Sequence, residues 1–208
     1  MKQVLFVVTI LISLDMFAMG SRKPAPKPAP VEPTSCEGAI DSGTVTYDLK
    51  FIDNSYTTQV RKDRVSRLTT QAMAVVNSEE FKKRVLGSWY KGKYAFADTT
   101  DSNETVYKKI RESSEVFHKC VDYKWELEYQ WDSNSKKVLG WTYANVKTVW
   151  FNYKNFDPRT DSGIVGTICH EHMHKLGYDH SSASSSQSVP YAVGTICAEL
   201  YDKMYKKN

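Results

Sequence analysis

The sequence predicts an α+β domain, a small twisted sheet with helices packed on it, and two patterns carry that expectation. Val121, Tyr123, Trp125, Leu127, Tyr129 and Trp131 alternate with Asp122, Lys124, Glu126, Glu128 and Gln130. That is the period of a strand with one buried and one wet face. Further on, apolar residues recur at three and four in two stretches, Ile164 to Leu176 and Val189 to Met204, so two amphipathic helices follow the strands. With 208 residues, 41% hydrophobic and 12% aromatic, the chain has material for one packed domain plus processed ends.

Residues 1–20 read as a secretory signal peptide. Lys2 precedes the apolar run Val4 to Ile12, and Ala18-Met19-Gly20 supplies small residues before a cut ahead of Ser21. The run is too short to span a bilayer comfortably, so no stable membrane insertion is expected after cleavage. No cysteine follows the cut, which argues against a lipid anchor. Residues 21–35 contain Lys-Pro-Ala-Pro-Lys-Pro-Ala-Pro, an extended polyproline-type linker. The folded domain is expected over 36–208.

Val45, Tyr47, Leu49 and Phe51 alternate as a half-buried strand. Val65, Leu68, Ala72 and Val75 set a helical period between about 60 and 86, with a break and new cap at Asn77 and an end at Gly87. Asn103 to Phe117 reads as a further helix. After the strand 121–131, Asp132 to Ser135 is a turn, and Lys137 to Tyr143 is expected to return as its hairpin partner. Thr148 to Tyr153 is apolar or β-branched on both faces and should be an inner strand. The last two helices are expected over 162–176 and 189–204, the second with Ser188 as its cap and Pro190 in its first turn.

Four of the five histidines fall in one window, His170-Glu-His-Met-His-Lys-Leu-Gly-Tyr-Asp-His180. Read as H-E-x-x-H-x-x-G-x-x-H, its fixed positions are His170, Glu171, His174, Gly177 and His180. On a helix His170 and His174 project from one face and can share a metal ion, while Glu171 lies about 100° round from His170. His180 would point away on a continuous helix, so the chain must turn back. Gly177 is the residue able to take the left-handed conformation there. Three neutral imidazoles leave an open fourth position, which suits catalytic Zn2+. His172 points towards the apolar arc and is expected to be a packed structural residue. His118 has no local partner in the sequence.

The window resembles the zinc-binding consensus of the metzincin metallopeptidases, with all five fixed residues present. The resemblance covers about the last third of the chain. It implies a metzincin-like zincin domain with a mixed sheet, mostly parallel, and an antiparallel edge strand along the cleft. It implies His170, His174 and His180 as ligands and Glu171 as general base. The sequence departs from the family in one respect. The family's methionine turn is replaced by Ser188-Val189-Pro190-Tyr191, and the only later methionine is Met204. Tyr191 is therefore a candidate to pack under the metal or to donate to a developing oxyanion, with Tyr178 as a competitor.

Export favours disulfides. Cys36, Cys120, Cys169 and Cys197 allow three pairings. Cys169 and Cys197 both fall on apolar helix faces, which favours their pairing and leaves Cys36–Cys120. Cys36 as an inhibitory thiolate is the alternative, but its surroundings do not resemble the family's switch motif.

Together these readings describe an exported zinc-dependent endopeptidase, periplasmic, cell-surface or extracellular, acting as a monomer on peptide or protein substrates. The alternatives are a non-catalytic, zinc-stabilised envelope module and a zinc amidase acting on cell-wall peptides. The net charge of +4 is mild, and no basic stripe with interleaved aromatics occurs, so nucleic acid is not expected as a partner.

Overall fold

The computed structural model describes residues 34–118, 120–133, 138–180 and 185–206. The segment expected to be a signal peptide, and the expected linker up to residue 33, lie outside the described residues. In chain order the elements are β1 (Thr34–Ser35), β2 (Thr46–Phe51), α1 (Gln59–Val76), α2 (Glu79–Leu86), α3 (Asn103–Glu112), β3 (Cys120–Val121), β4 (Lys124–Asp132), β5 (Gly140–Trp141), β6 (Thr148–Asn152), α4 (Tyr153–Phe156), α5 (Asp161–Lys175) and α6 (Val189–Tyr205). A single 3₁₀ turn, Ser185–Gln187, leads into α6. The fold is α+β with a small mixed sheet. No described helix is long and apolar enough to cross a membrane.

The four-stranded sheet has the order β2-β4-β6-β5. β2, β4 and β6 are parallel, and β5 runs antiparallel to β6 at the edge. β4 carries the alternation read from the sequence, with Trp125, Leu127, Tyr129 and Trp131 buried. It begins at Lys124 rather than Val121 because Tyr123 takes a left-handed φ of 58°, which separates off β3. The short β3 pairs in parallel with β1, so pairing begins at Thr34, inside the stretch expected to be linker.

The hairpin expected between 121–131 and 137–143 does not form. Among the described residues of the second stretch, Gly140–Trp141 pairs with β6 instead. β6 is buried on both faces and takes the inner place beside β4. That leaves β5 outermost, with Trp141 stacked on its register partner Trp150 at 6.2 Å.

Two helix boundaries also moved for visible reasons. Asn77 ends α1, and its side chain clamps β2 by accepting from Val45 N–H at 2.7 Å and donating to Val45 O at 2.8 Å. Ser78, not Asn77, caps α2 by accepting from Phe81 N–H. α3 stops at Glu112, short of Phe117, because Ser113 adopts φ 51°.

The arginines of α1 hold the start of α5. Arg64 and Arg67 both bond the Asp161 carboxylate, at 2.7 and 2.8 Å. Burial alone would raise the Asp161 pKa, but the two guanidiniums hold it below the usual range. The carboxylate also sits in the first turn of α5, where the helix dipole favours negative charge.

α5 and α6 make the closest helix pair, and glycine sets their separation. A Cβ added at Gly194 would lie 2.8 Å from Gly166 O and 3.1 Å from the His170 Cβ. Gly194→Ala should therefore cost about 1–3 kcal/mol through forced separation of the helices, despite alanine's better helix propensity. Urea unfolding checks this, and a gain in stability would refute the close-contact argument.

The same crossing corrects one expected disulfide. Cys36–Cys120 is formed, whereas Cys169 and Cys197 are buried free thiols. They are neighbours, and burial together with the hydrogen bond to Cys169 pushes the Cys197 thiol well up. The two sulfurs lie at hydrogen-bonding rather than covalent separation.

Candidate metal centre

α5 delivers His170 and His174 from one face, and its C-terminal turn returns His180 to them. The turn is a Schellman motif. Tyr178 N–H donates to Met173 O at 3.1 Å, Gly177 N–H donates to His174 O at 3.0 Å, and Gly177 has φ +87°. An L-residue at 177 would be strained, and its Cβ would also lie 3.1 Å from Val116.

Each of the three histidines offers a donor nitrogen, and these nitrogens lie within 4.8 Å of one another. The ring centroids are 5.0 to 5.5 Å apart. The chemistry of the trio fits a divalent metal. His174 Nδ1 is 2.7 Å from Tyr178 O. A carbonyl only accepts, so Nδ1 carries the proton and Nε2 keeps its lone pair. One nitrogen of His170 donates to the Pro190 backbone carbonyl. Burial, with the other two imidazoles, pushes the His170 pKa down to about 3, and burial lowers that of His174. Both rings are therefore held neutral, as ligands must be.

Glu171 is buried beside them. Its carboxylate accepts from the backbone N–H of Thr142, just past β5, and burial pushes its pKa up to about 8. The adjacent pocket, about 380 Å³, is shared by His170, Glu171, Tyr191 and the start of β5.

Tyr191, in the first turn of α6, stands against the trio, its ring 4.5 Å from His170 and 4.8 Å from His180. Tyr178 does not compete for a role at the metal, because its hydroxyl donates to Asp101 at 2.8 Å. His172 is fully buried and stacks on Trp125 at 3.6 Å.

Sequence reasoning missed the polar cluster behind the helix. Lys175 is fully buried, and its ammonium donates to the carbonyls of Glu126, at 2.7 Å, and Lys147. Glu115 faces it, and burial pushes that carboxyl up to about 8. His118, unpartnered in the sequence reading, has Nε2 2.5 Å from Glu126. None of this could be found by spacing, since the partners come from four separate segments. A second His/Cys group, Cys36, His118 and Cys120, has both its sulfurs committed to the disulfide.

Fold and site together define an α+β domain with a three-histidine cluster, a neighbouring buried glutamate and an antiparallel edge strand alongside. No protein-family model, curated protein or solved structure matches the chain.

Proposed function

We propose that the protein is a metzincin-like zinc endopeptidase, exported by its signal peptide. The observation that carries this reading is the convergence of His170, His174 and His180 beside a buried Glu171. Bound zinc would supply Lewis-acid polarisation of the scissile carbonyl and lower the pKa of a water to about 7.

The chain's own residues supply the rest. His170, His174 and His180 hold the ion. A peptide adds in extended form along the outer edge of β5, the last strand of the sheet. Glu171 takes the proton of the attacking water and passes it to the leaving amine nitrogen as the C–N bond breaks. Burial alone raises the Glu171 pKa, and a cation held by the trio would lower it, so that the carboxylate would be ionised when it must accept. The Tyr191 ring lies beside His170 and His180, which makes its hydroxyl the candidate donor to a developing oxyanion.

Tyr191→Phe is expected to lower kcat about 10²-fold with the zinc retained. Unchanged turnover would restrict Tyr191 to packing against His170 and His180.

The reading as a whole is tested on purified protein. It should hold about one zinc per chain and cleave an unstructured protein, and a chelator should stop the cleavage. Zinc uptake without any cleavage would instead favour the non-catalytic, zinc-stabilised module.

A further inference from the structure

We propose that the pocket beside Glu171 selects substrates bearing a carboxylate next to the scissile bond, with Arg159 as the group that receives it. This rests on the peptidase reading and adds the substrate class.

Small side chains of two helices keep the pocket empty. Gly163, Gly166 and Thr167 of α5 line it together with Gly194 and Ala198 of α6. Its volume of about 380 Å³ is that of a small-ligand site. His170 and Glu171 line the same pocket as Arg159, so a residue adjacent to the reacting carbonyl can enter it.

Arg159 is set apart from the other described arginines. Arg61 pairs with Asp157, Arg64 and Arg67 with Asp161, Arg84 with Glu199 and Arg111 with Asp41. Among the described residues Arg159 has no such carboxylate. Its backbone is nevertheless fixed. The N–H donates to Phe156 O at 3.1 Å, and the carbonyl accepts from Arg64 Nη2 at 2.5 Å. The side chain lies over Gly163, where an added Cβ would stand 2.6 Å from Nε. A guanidinium anchored at its backbone and unpaired at its tip, beside a pocket floored by glycine, is suited to bidentate capture of a carboxylate.

That carboxylate can belong to a glutamate or aspartate side chain, or to a free chain terminus one residue from the cut. Zinc-loaded full-length protein is given peptide pairs that differ only in glutamate against glutamine beside the cleaved bond. A parallel pair compares a free with an amidated C-terminus. Wild type should prefer one carboxylate source by about 10-fold in kcat/KM, the size expected for a charge-assisted hydrogen bond at a partly exposed site. Arg159→Ala should bring that ratio to about one. Arg159→Glu should reverse it in favour of glutamine, and Gly163→Ala should reduce it by displacing the guanidinium. Equal rates within both pairs for wild type, or a preference that survives Arg159→Ala, would overturn the proposal.

If no peptide is turned over, the peptidase reading fails separately. The pocket is then judged by calorimetry with two hydroxamate peptides carrying glutamate or glutamine. The same ratio, lost in Arg159→Ala, supports the assignment, and equal affinities or no binding of either overturn it.

Discussion

Replacing Glu171 with alanine is expected to cut peptide turnover by about 10²–10⁴-fold while the chain keeps its zinc. In the proposed site the carboxylate is not a ligand, since the three imidazoles would supply the donor set. Its position rests on two features independent of a metal, the bond from the Thr142 backbone N–H and its burial. The variant therefore separates metal binding from proton transfer, and metal analysis beside kinetics reads both. Loss of zinc together with activity would instead make Glu171 part of the metal site.

The same residue has a signature in metal-free protein. Burial raises the Glu171 carboxyl from 4.5 to about 8, so the folded chain holds a proton that the unfolded chain releases. That contribution is fully present below pH 4.5 and is lost as pH rises through about 8. Glu171→Gln should flatten this part of the stability–pH curve of metal-free protein, measured by thermal melting.

The second large effect is expected at Lys175. Lys175→Met should destabilise the fold by about 3–5 kcal/mol, because it removes a fully buried cation from a set of buried acceptors. The Glu126 and Lys147 carbonyls lose their donor, and Glu115 and Glu171 lose a neighbouring positive charge. In a domain of this size the melting temperature should fall by roughly 10 °C. Adding Glu115→Gln should return part of the loss, with a coupling above about 0.5 kcal/mol. Strict additivity of the two changes would mean that Lys175 and Glu115 do not act as a pair.

The sheet's alternating strand and the two late helices were legible because each buries one regular face. Trp125 to Trp131 and Ile164 to Leu176 needed no distant partner to declare their period. Strand order was not legible. Gly140–Trp141 reads equally well as a partner for β4 or β6, and only the packing of Trp141 on Trp150 decides. The convergence of the three histidines was legible because their spacing is local, and Gly177 marked the reversal. The role of Lys175 was not, because its partners come from other elements. The Cys169–Cys197 pairing misled for the opposite reason: helix periodicity brought the thiols together correctly but could not measure the gap between them.

The central claim, that His170, His174 and His180 hold one zinc ion on which hydrolysis depends, is tested most directly by titrating metal-free full-length protein with zinc while following cleavage of an unstructured protein. Turnover should rise in proportion to added zinc and stop rising at about one equivalent per chain. Turnover in the absence of zinc, or a fully loaded protein that cleaves nothing, would contradict the account.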